Sequence, residues 1–300
     1  MNRVAQRPIL AFACALGAVA LLSIMDAVMK HLVIAIGIVA VSVWRGVANL
    51  TIASALYLPR RLAWPATATV KIHALRSIIV TVMAALFFWG IGRVPLAQGL
   101  ALTFIAPLIA LLLSALFLQE KIGTRSVAGA VAAFAGVIII VIGQARGELG
   151  HQLLLGSAAI IGSALCYAVN IVMMRQQALV AKPLEINFFQ GVFVMALWLA
   201  ALAVTGAPEL PGKLTLWVIA ASLLSTAGGL LFSFAYARAP ASYLATSEYS
   251  GFIWASALGW LIFHEPVSLY TVAGAALIVA GCLIAASRRI DAPPEIDVAA

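Results

Sequence analysis

The chain has very few charged residues. Asp, Glu, Lys and Arg make up 9% of its 300 residues, whereas hydrophobic residues make up 64%. A soluble domain carries roughly 25% charged residues, because its surface faces water. The scarcity of charge argues against an ordinary soluble domain and indicates that most of this chain's surface faces the hydrocarbon of a bilayer.

Cysteine and catalytic motifs are also scarce. The three cysteines, Cys14, Cys166 and Cys282, lie inside apolar runs, and none is spaced from another Cys or a His as metal ligands are. The sequence has no phosphate-binding glycine loop, H-E-x-x-H, C-x-x-C or nucleophile elbow. We therefore expect no metal, no cofactor and no enzymatic activity, and transport driven by an ATPase domain of this chain is not expected.

The basic residues are scattered, although the net charge is +8. They occur in ones and twos rather than in a patch, so we expect no nucleic-acid partner. With the N-terminus placed in the cytoplasm, twelve of the 18 Lys and Arg fall on the cytoplasmic side and four on the other, while Arg45 and Arg76 fall within or at the edge of spans. Because positive loops stay inside, we expect a multi-pass protein of the bacterial inner membrane with both termini cytoplasmic.

Ten apolar runs are long enough to cross a bilayer as helices, which takes roughly 20 residues. The first run follows a basic start and resembles a signal peptide, but it continues past Ala20 and similar runs follow, so we interpret it as the first span. The predicted fold is an all-α membrane protein with ten transmembrane helices. The spans cover about 8–30, 35–58, 72–91, 95–118, 126–143, 153–175, 184–205, 214–237, 241–263 and 269–286.

The two halves of the chain are copies of one unit, aligned at an offset of 145 residues. Residues 93–139 and 238–284 are identical at 13 of 47 positions, including the whole of Val127–Ala130 in the first copy. Five spans is an odd number, so the second copy enters the membrane from the opposite side. We therefore predict inverted five-helix repeats at 8–143 and 153–287, followed by a short cytoplasmic tail at 288–300. Inverted repeats are common in secondary transporters.

Ten side chains inside the spans are predicted to shape a substrate cavity, because polar groups in hydrocarbon are costly and usually face a cavity or a partner. Glu248 has no cation one turn away on its own span and is predicted to bind a cation or a proton. Arg45 is predicted to attract an anionic group. The full set is Asp26, Lys30, Arg45, Gln98, Tyr167, Asn170, Gln190, Glu248, Tyr249 and Trp254.

Structural alternatives stay open for several of these residues. Asp26 and Lys30 are four residues apart and share a helix face, so they are predicted to pair, although Asp26 also has Arg45 as a possible partner and Lys30 is also able to snorkel to the interface. Tyr249 or Trp254 is predicted to stack on a flat ring, and core packing is the alternative for Trp254.

Other notable residues are predicted to be structural. Arg76 is predicted to be topogenic and to face headgroups, and Trp198 to lie in an interfacial belt. Glu120 and Glu265 follow equivalent spans and are predicted to bond the start of a neighbouring helix. Gly129 and Gly136 belong to small-residue faces that are predicted to be scaffold or dimer surfaces.

Two segments carry a family resemblance: RVPLAQGLALTFIAPLIALLLSALFLQEKI and RAPASYLATSEYSGFIWASALGWLIFHEPV. With S-x-x-D-A-x-x-K in span 1, a lone Arg in span 2 and H-x-L-R at span 3, the chain resembles the EamA family of the drug/metabolite transporter superfamily over nearly its full length. The resemblance implies ten helices, inverted repeats, a central cavity and no cofactor. It is closest to the branch with S-adenosylmethionine and riboflavin importers, while other branches export amino acids.

The predicted function is therefore secondary transport of a small polar or heteroaromatic metabolite, such as riboflavin or S-adenosylmethionine. Export of amino acids or related metabolites is the alternative, and a membrane accessory protein without transport is a remote one. The expected partners are a small-molecule substrate and the lipid bilayer. A proton or other coupling ion, and a monomeric or homodimeric state, stay open.

Overall fold

The computed structural model describes residues 8–60, 64–106, 108–109, 124–145, 150–208, 210–236 and 247–286, and within these ranges it is helical with no strand. Helices suit such apolar runs because each satisfies its own backbone hydrogen bonds without water. The helices are α1 (Pro8–Tyr57), α2 (Thr67–Ile91), α3 (Leu96–Thr103), α4 (Thr124–Ala145), α5 (Gly150–Val180), α6 (Pro183–Thr205), α7 (Thr215–Tyr236), α8 (Ser250–Phe263) and α9 (Leu269–Ala286).

Helix α1 is two helices joined at Gly37. It has 50 residues and would extend about 75 Å as one straight helix, far more than the ~30 Å hydrocarbon core. Gly37 interrupts it with φ 78° and ψ 163°, a conformation open to glycine and strained for other residues. The first two predicted spans, about 8–30 and 35–58, therefore leave their break at 31–34, a few residues too early. The chain stays helical as far as Gly37.

Among the described residues, five helical segments are long and apolar enough to cross a membrane, and three shorter apolar helices accompany them. The predicted fourth span is described only as far as residue 109 and the predicted ninth only from residue 247. The count of ten helices therefore stays a prediction. The five segments are Ile9–Arg60, Thr67–Ile91, Gly150–Asn170, Leu184–Thr205 and Gly212–Phe232, and the shorter helices are Val127–Gly143, Ser250–Phe263 and Leu269–Gly281.

The largest helix contacts join one copy of the repeat to the other. Helix α2 packs on α5, and its equivalent α7 packs on the first segment of α1, which is equivalent to α5. Helices α4 and α9, which are equivalent to each other, form a further pair. The 145-residue offset seen in the sequence is thus a spatial relation as well, and the interior of the molecule lies between the copies.

Four glycines bring α4 and α9 into backbone contact. A Cβ on Gly136 would lie 2.6 Å from the carbonyl oxygen of Gly274, and one on Gly281 would lie 2.4 Å from that of Gly129. The two contacts are equivalent under the 145-residue offset. The small-residue faces are therefore used within the chain, where they let two helices approach closely.

Candidate functional site

A cavity of about 430 Å³ lies between the second segment of α1, α2, α6 and α7. Helices from both copies contribute, and several lining residues are equivalent across the repeat, such as Gly46 with Gly191 and Thr81 with Thr226. Its size is within the range of small-molecule sites. The polar lining consists of Ser42, Arg45, Asn49, Thr81, Asn187, Gln190, Ser225 and Thr226, and two aromatic rings, Phe88 and Trp198, complete the wall.

Arg45 is the cationic group of this wall. Its guanidinium lies 5.2 Å from the ring centre of Phe88, a cation–π contact, and Asp26 acts on it electrostatically as the opposite charge. Arg45 Nε is buried and has no hydrogen-bond partner among the residues that the structure describes. A buried donor without an acceptor costs about 1–3 kcal/mol, so the packing holds Arg45 beside the cavity at an energetic cost.

A second set of buried polar groups centres on Arg76, and it corrects the prediction that Arg76 faces headgroups. The side chain is buried, with Nε donating to Asn170 Oδ1 at 2.9 Å. Nη1 donates to Gln177 Oε1 at 2.6 Å and to Gln190 Oε1 at 3.0 Å. Helices α5 and α6 supply these acceptors, and they turn a predicted interfacial charge into an interior one.

The same set continues through a histidine to a carboxylate. His73 Nδ1 is bonded to the Gln177 amide, and Nε2 lies 3.2 Å from Glu185 Oε1. The His73 ring is fully buried and stacks on Phe189, with centroids 5.3 Å apart. We refer to His73, Arg76, Asn170, Gln177, Glu185 and Gln190 as the Arg76 cluster. Gln190 belongs to both the cluster and the cavity wall.

Lys30 does not pair with Asp26 as predicted, nor does it snorkel. It is 2% exposed; its ammonium pairs with Glu265 and donates to the Val94 carbonyl oxygen at 2.7 Å. Glu265 Oε2 also accepts from the backbone N–H of Leu96, the first residue of α3, at 2.9 Å. The prediction that Glu265 bonds the start of a neighbouring helix is therefore confirmed, while Glu120 lies outside the described residues.

Backbone geometry aims Glu265 at α3. Helix α8 ends at His264, which adopts the left-handed conformation with φ 54°. This conformation costs an L-residue roughly 1–2 kcal/mol. It reverses the chain so that the Glu265 N–H donates to the Gly259 carbonyl oxygen at 3.1 Å. The strained residue thus positions a carboxylate that contacts both Lys30 and the start of α3.

Five predicted cavity residues lie away from the cavity. Gln98 is buried between α3 and α5, with Nε2 3.5 Å from Ser157 Oγ. Glu248 is half-buried and interacts electrostatically with Tyr167. Tyr249 packs edge-on against Phe104, with centroids 5.4 Å apart. Trp254 is 42% exposed on the outer surface.

Four of the ten predicted residues therefore lie in the cavity wall or close to it, and six do not. Arg45 and Gln190 line the cavity, Asp26 acts on Arg45 from nearby, and Asn170 joins Gln190 through the Arg76 guanidinium. Lys30 and the five residues of the preceding paragraph do not line the cavity. Sequence reasoning missed Trp198, which lines the cavity and is 8% exposed rather than belonging to an interfacial belt.

The family model described as the EamA-like transporter family matches the chain twice, at residues 9–142 and 154–287. A duplicated transporter module, together with apolar helices of membrane-spanning length, defines a multi-pass membrane transporter as the class of this protein. The chain belongs to the EamA-like transporter family, within the drug/metabolite transporter superfamily.

Several characterised and uncharacterised transporters are similar to this chain. The pseudopaline exporter CntI of Pseudomonas aeruginosa (strain UCBPP-PA14) is 27% identical over 216 residues, covering 71% of this chain and 73% of that protein. The riboflavin transporter of Rhizobium johnstonii is 26% identical over 214 residues, covering 70% and 68%. An uncharacterized transporter of Archaeoglobus fulgidus is 27% identical over 249 residues, covering 81% and 86%.

A solved crystal structure shares the fold. It aligns with a TM-score of 0.59 over 93% of this chain and 96% of that chain, at 19% sequence identity. Identity at this level relates the folds and carries no information on the substrate.

Proposed function

We propose that the chain is a secondary transporter that binds an anionic or zwitterionic metabolite in the cavity beside Arg45. The observation that carries the proposal is that Arg45, a cationic residue with Asp26 as its acidic neighbour, lines the cavity. A carboxylate or other anionic group of the substrate would pair with its guanidinium through a charge-assisted hydrogen bond. Asp26 moderates the positive charge, so that the substrate is bound and then released.

The rest of the wall fits a small polar metabolite with an aromatic part. Phe88 and Trp198 provide apolar faces, and Asn187 and Thr226 are among the polar groups that can orient the molecule. In this proposal ten helices form two inverted repeats in the bacterial inner membrane, with both termini in the cytoplasm. Exchange between equivalent conformations of the two copies would open the cavity to one side at a time.

Import is the first candidate for the direction, as the resemblance noted in the sequence implies, and export is the second because a pseudopaline exporter is among the relatives. The remaining predicted residues, including Glu248 and Tyr249, are retained as contacts in a later stage of transport rather than in the cavity described here. Coupling to an ion, rather than to ATP, would provide the driving force.

The test is flux in proteoliposomes that contain the purified chain. Riboflavin, S-adenosylmethionine, pseudopaline and amino acids are offered from either side. For the transported compound, Arg45→Gln is expected to raise KM by about tenfold or more, since hydrogen bonds to charged groups contribute about 1.5–3 kcal/mol. Lys213→Gln, at an exposed position, is the control. Unchanged KM in Arg45→Gln contradicts the assigned site, and absence of flux with every compound favours an accessory protein.

A further inference from the structure

The hydrogen bonds of the Arg76 cluster fix which nitrogen of His73 carries the proton. Arginine has only donors, so the Gln177 atom that contacts Arg76 must be its carbonyl oxygen. The NH₂ group of Gln177 is then directed at His73 Nδ1, which accepts through its lone pair. The proton of a neutral His73 therefore lies on Nε2, which donates to Glu185.

A second proton on His73 is incompatible with these bonds. It would bind the Nδ1 lone pair and face the NH₂ group of Gln177, donor against donor. Rotating the Gln177 amide gives no relief, because its NH₂ group would then face the donors of Arg76. Proton binding must therefore break the bond between His73 and Gln177. The bond from Nε2–H to the Glu185 carboxylate persists and becomes charge-assisted.

The charged and polar groups around His73 come from four helices. Glu185 on α6 is the acidic group, and Arg76 lies one turn along α2 itself. Helix α5 presents the neutral amide of Gln177, and α1 brings Tyr57, a phenol that Glu185 acts on electrostatically. Before the proton binds, the charges of Arg76 and Glu185 cancel. Afterwards the cluster carries one net positive charge, which is costly inside a helix bundle and favours separation of α2 from α5 with entry of water.

The cluster has no counterpart in the other half of the molecule. The 145-residue offset places apolar residues at five of the six equivalent positions, and only Gln190 has a polar equivalent, Arg45. A polar set that served only to hold two packed helices together would be expected at both equivalent helix pairs. The apolar equivalents of His73, Arg76, Asn170, Gln177 and Glu185 are Val218, Ala221, Met25, Leu32 and Ala40.

We propose that His73 is the binding site for a coupling proton, and that its protonation releases Gln177 and thereby unlocks α2 from α5. The proposal rests on the transport function proposed above and adds the coupling ion and its site. The proton comes from water on one side of the membrane and adds to Nδ1 with no covalent bond broken, and it returns to water on the opposite side after the two copies have exchanged conformations. Arg76 links the site to the substrate, because the same Nη1 group bonds both Gln177 and the cavity residue Gln190.

A spectroscopic experiment on the full chain tests the proton site without any substrate. The purified protein, labelled with ¹⁵N-histidine, has four histidines, and the His73 signals are those that disappear in His73→Asn. We expect the Nε2-protonated neutral form at high pH and a doubly protonated ring at low pH. In Gln177→Leu the neutral ring is expected to lose its single tautomer. A neutral His73 with its proton on Nδ1, or a ring that stays singly protonated at low pH, overturns the proposal.

Flux measurements test the coupling. An imposed pH gradient is expected to change substrate flux by several-fold in the wild type and in the control His151→Asn, whose side chain is exposed. Flux in His73→Gln is expected to be the same with and without the gradient. The assignment of His73 as the coupling site is wrong if the gradient changes flux in His73→Gln as much as in the wild type. It is also wrong if the gradient does not change flux in the wild type. If the wild type shows no flux at all, the proposed transport function fails, and the spectroscopic result alone decides whether His73 binds the proton.

Discussion

Removal of the Glu265 carboxylate should destabilise the protein more than any exposed substitution. Lys30 has a 3% exposed side chain and pairs with Glu265, whose side chain is 21% exposed. Breaking a buried ion pair by deleting one partner costs about 3–5 kcal/mol, because the other charge is left uncompensated. We expect the low end of this range, about 3 kcal/mol, since water reaches part of Glu265.

Glu265→Ala should lower the free energy of unfolding further than Glu265→Gln does. Its second oxygen accepts from the Leu96 N–H at the start of α3, and loss of such a helix-capping acceptor costs about 1 kcal/mol. Glu265→Gln retains an acceptor for this bond, so the difference between the two variants isolates it. The free energy of unfolding is measured by SDS titration of the purified chain in mild detergent, with Lys213→Met as an exposed control.

A double-mutant cycle then separates the ion pair from the two side chains. Lys30→Met and Glu265→Gln each leave one charge without its opposite charge, whereas the double variant leaves no unpaired charge at this site. We expect the double variant to lose less free energy of unfolding than the sum of the two single losses, by at least about 1 kcal/mol. Additive effects, or a Glu265→Gln variant within about 0.5 kcal/mol of the wild type, would refute the reasoning.

Two further substitutions test the packing and the cavity wall. Gly136→Val should lower stability by at least about 2 kcal/mol, because its Cβ would meet the Gly274 carbonyl oxygen at 2.6 Å; Gly229→Ala, with no atom near its Cβ, is the control, and equal thermal unfolding of both variants would contradict the close approach. Trp198→Leu should raise the KM for transport by several-fold, because the ring forms part of the cavity wall, whereas the 49% exposed Trp217 should tolerate the same change. Equal KM values in the two Trp variants would exclude Trp198 from the substrate site.

Much of the helical architecture follows from the sequence alone. The apolar runs predicted helices that the structure shows to within a few residues, as for 269–286 and α9. The 145-residue offset also has a direct structural meaning: the break at Gly37 has its equivalent at Lys182, just before α6 begins. These features are predictable because they depend on solvent and local backbone chemistry.

The partners of the buried charges were not predictable in the same way. The rule for pairs four residues apart considers one helix at a time, and it assigned Asp26 to Lys30, whose acidic partner is 235 residues away. The position of Arg76 near the end of a predicted span likewise indicated a surface residue, although helices α5 and α6 cover it with amide oxygens. The sequence identifies a costly group, and only the packing of helices from the other copy identifies its partner.

The one-sidedness of the Arg76 cluster has a consequence for how such a molecule can arise. Since the copies pack chiefly on each other, an assembly of two identical half-length subunits would have the same helix pairs twice. Each subunit would then carry Arg76 and every other member of the cluster, so the cluster would occur at both equivalent helix pairs. Only when the two copies differ in sequence can Ala221 and Met25 occupy the positions equivalent to Arg76 and Asn170. Divergence of the two copies is therefore what allows a single-sided polar site in a nearly symmetric scaffold.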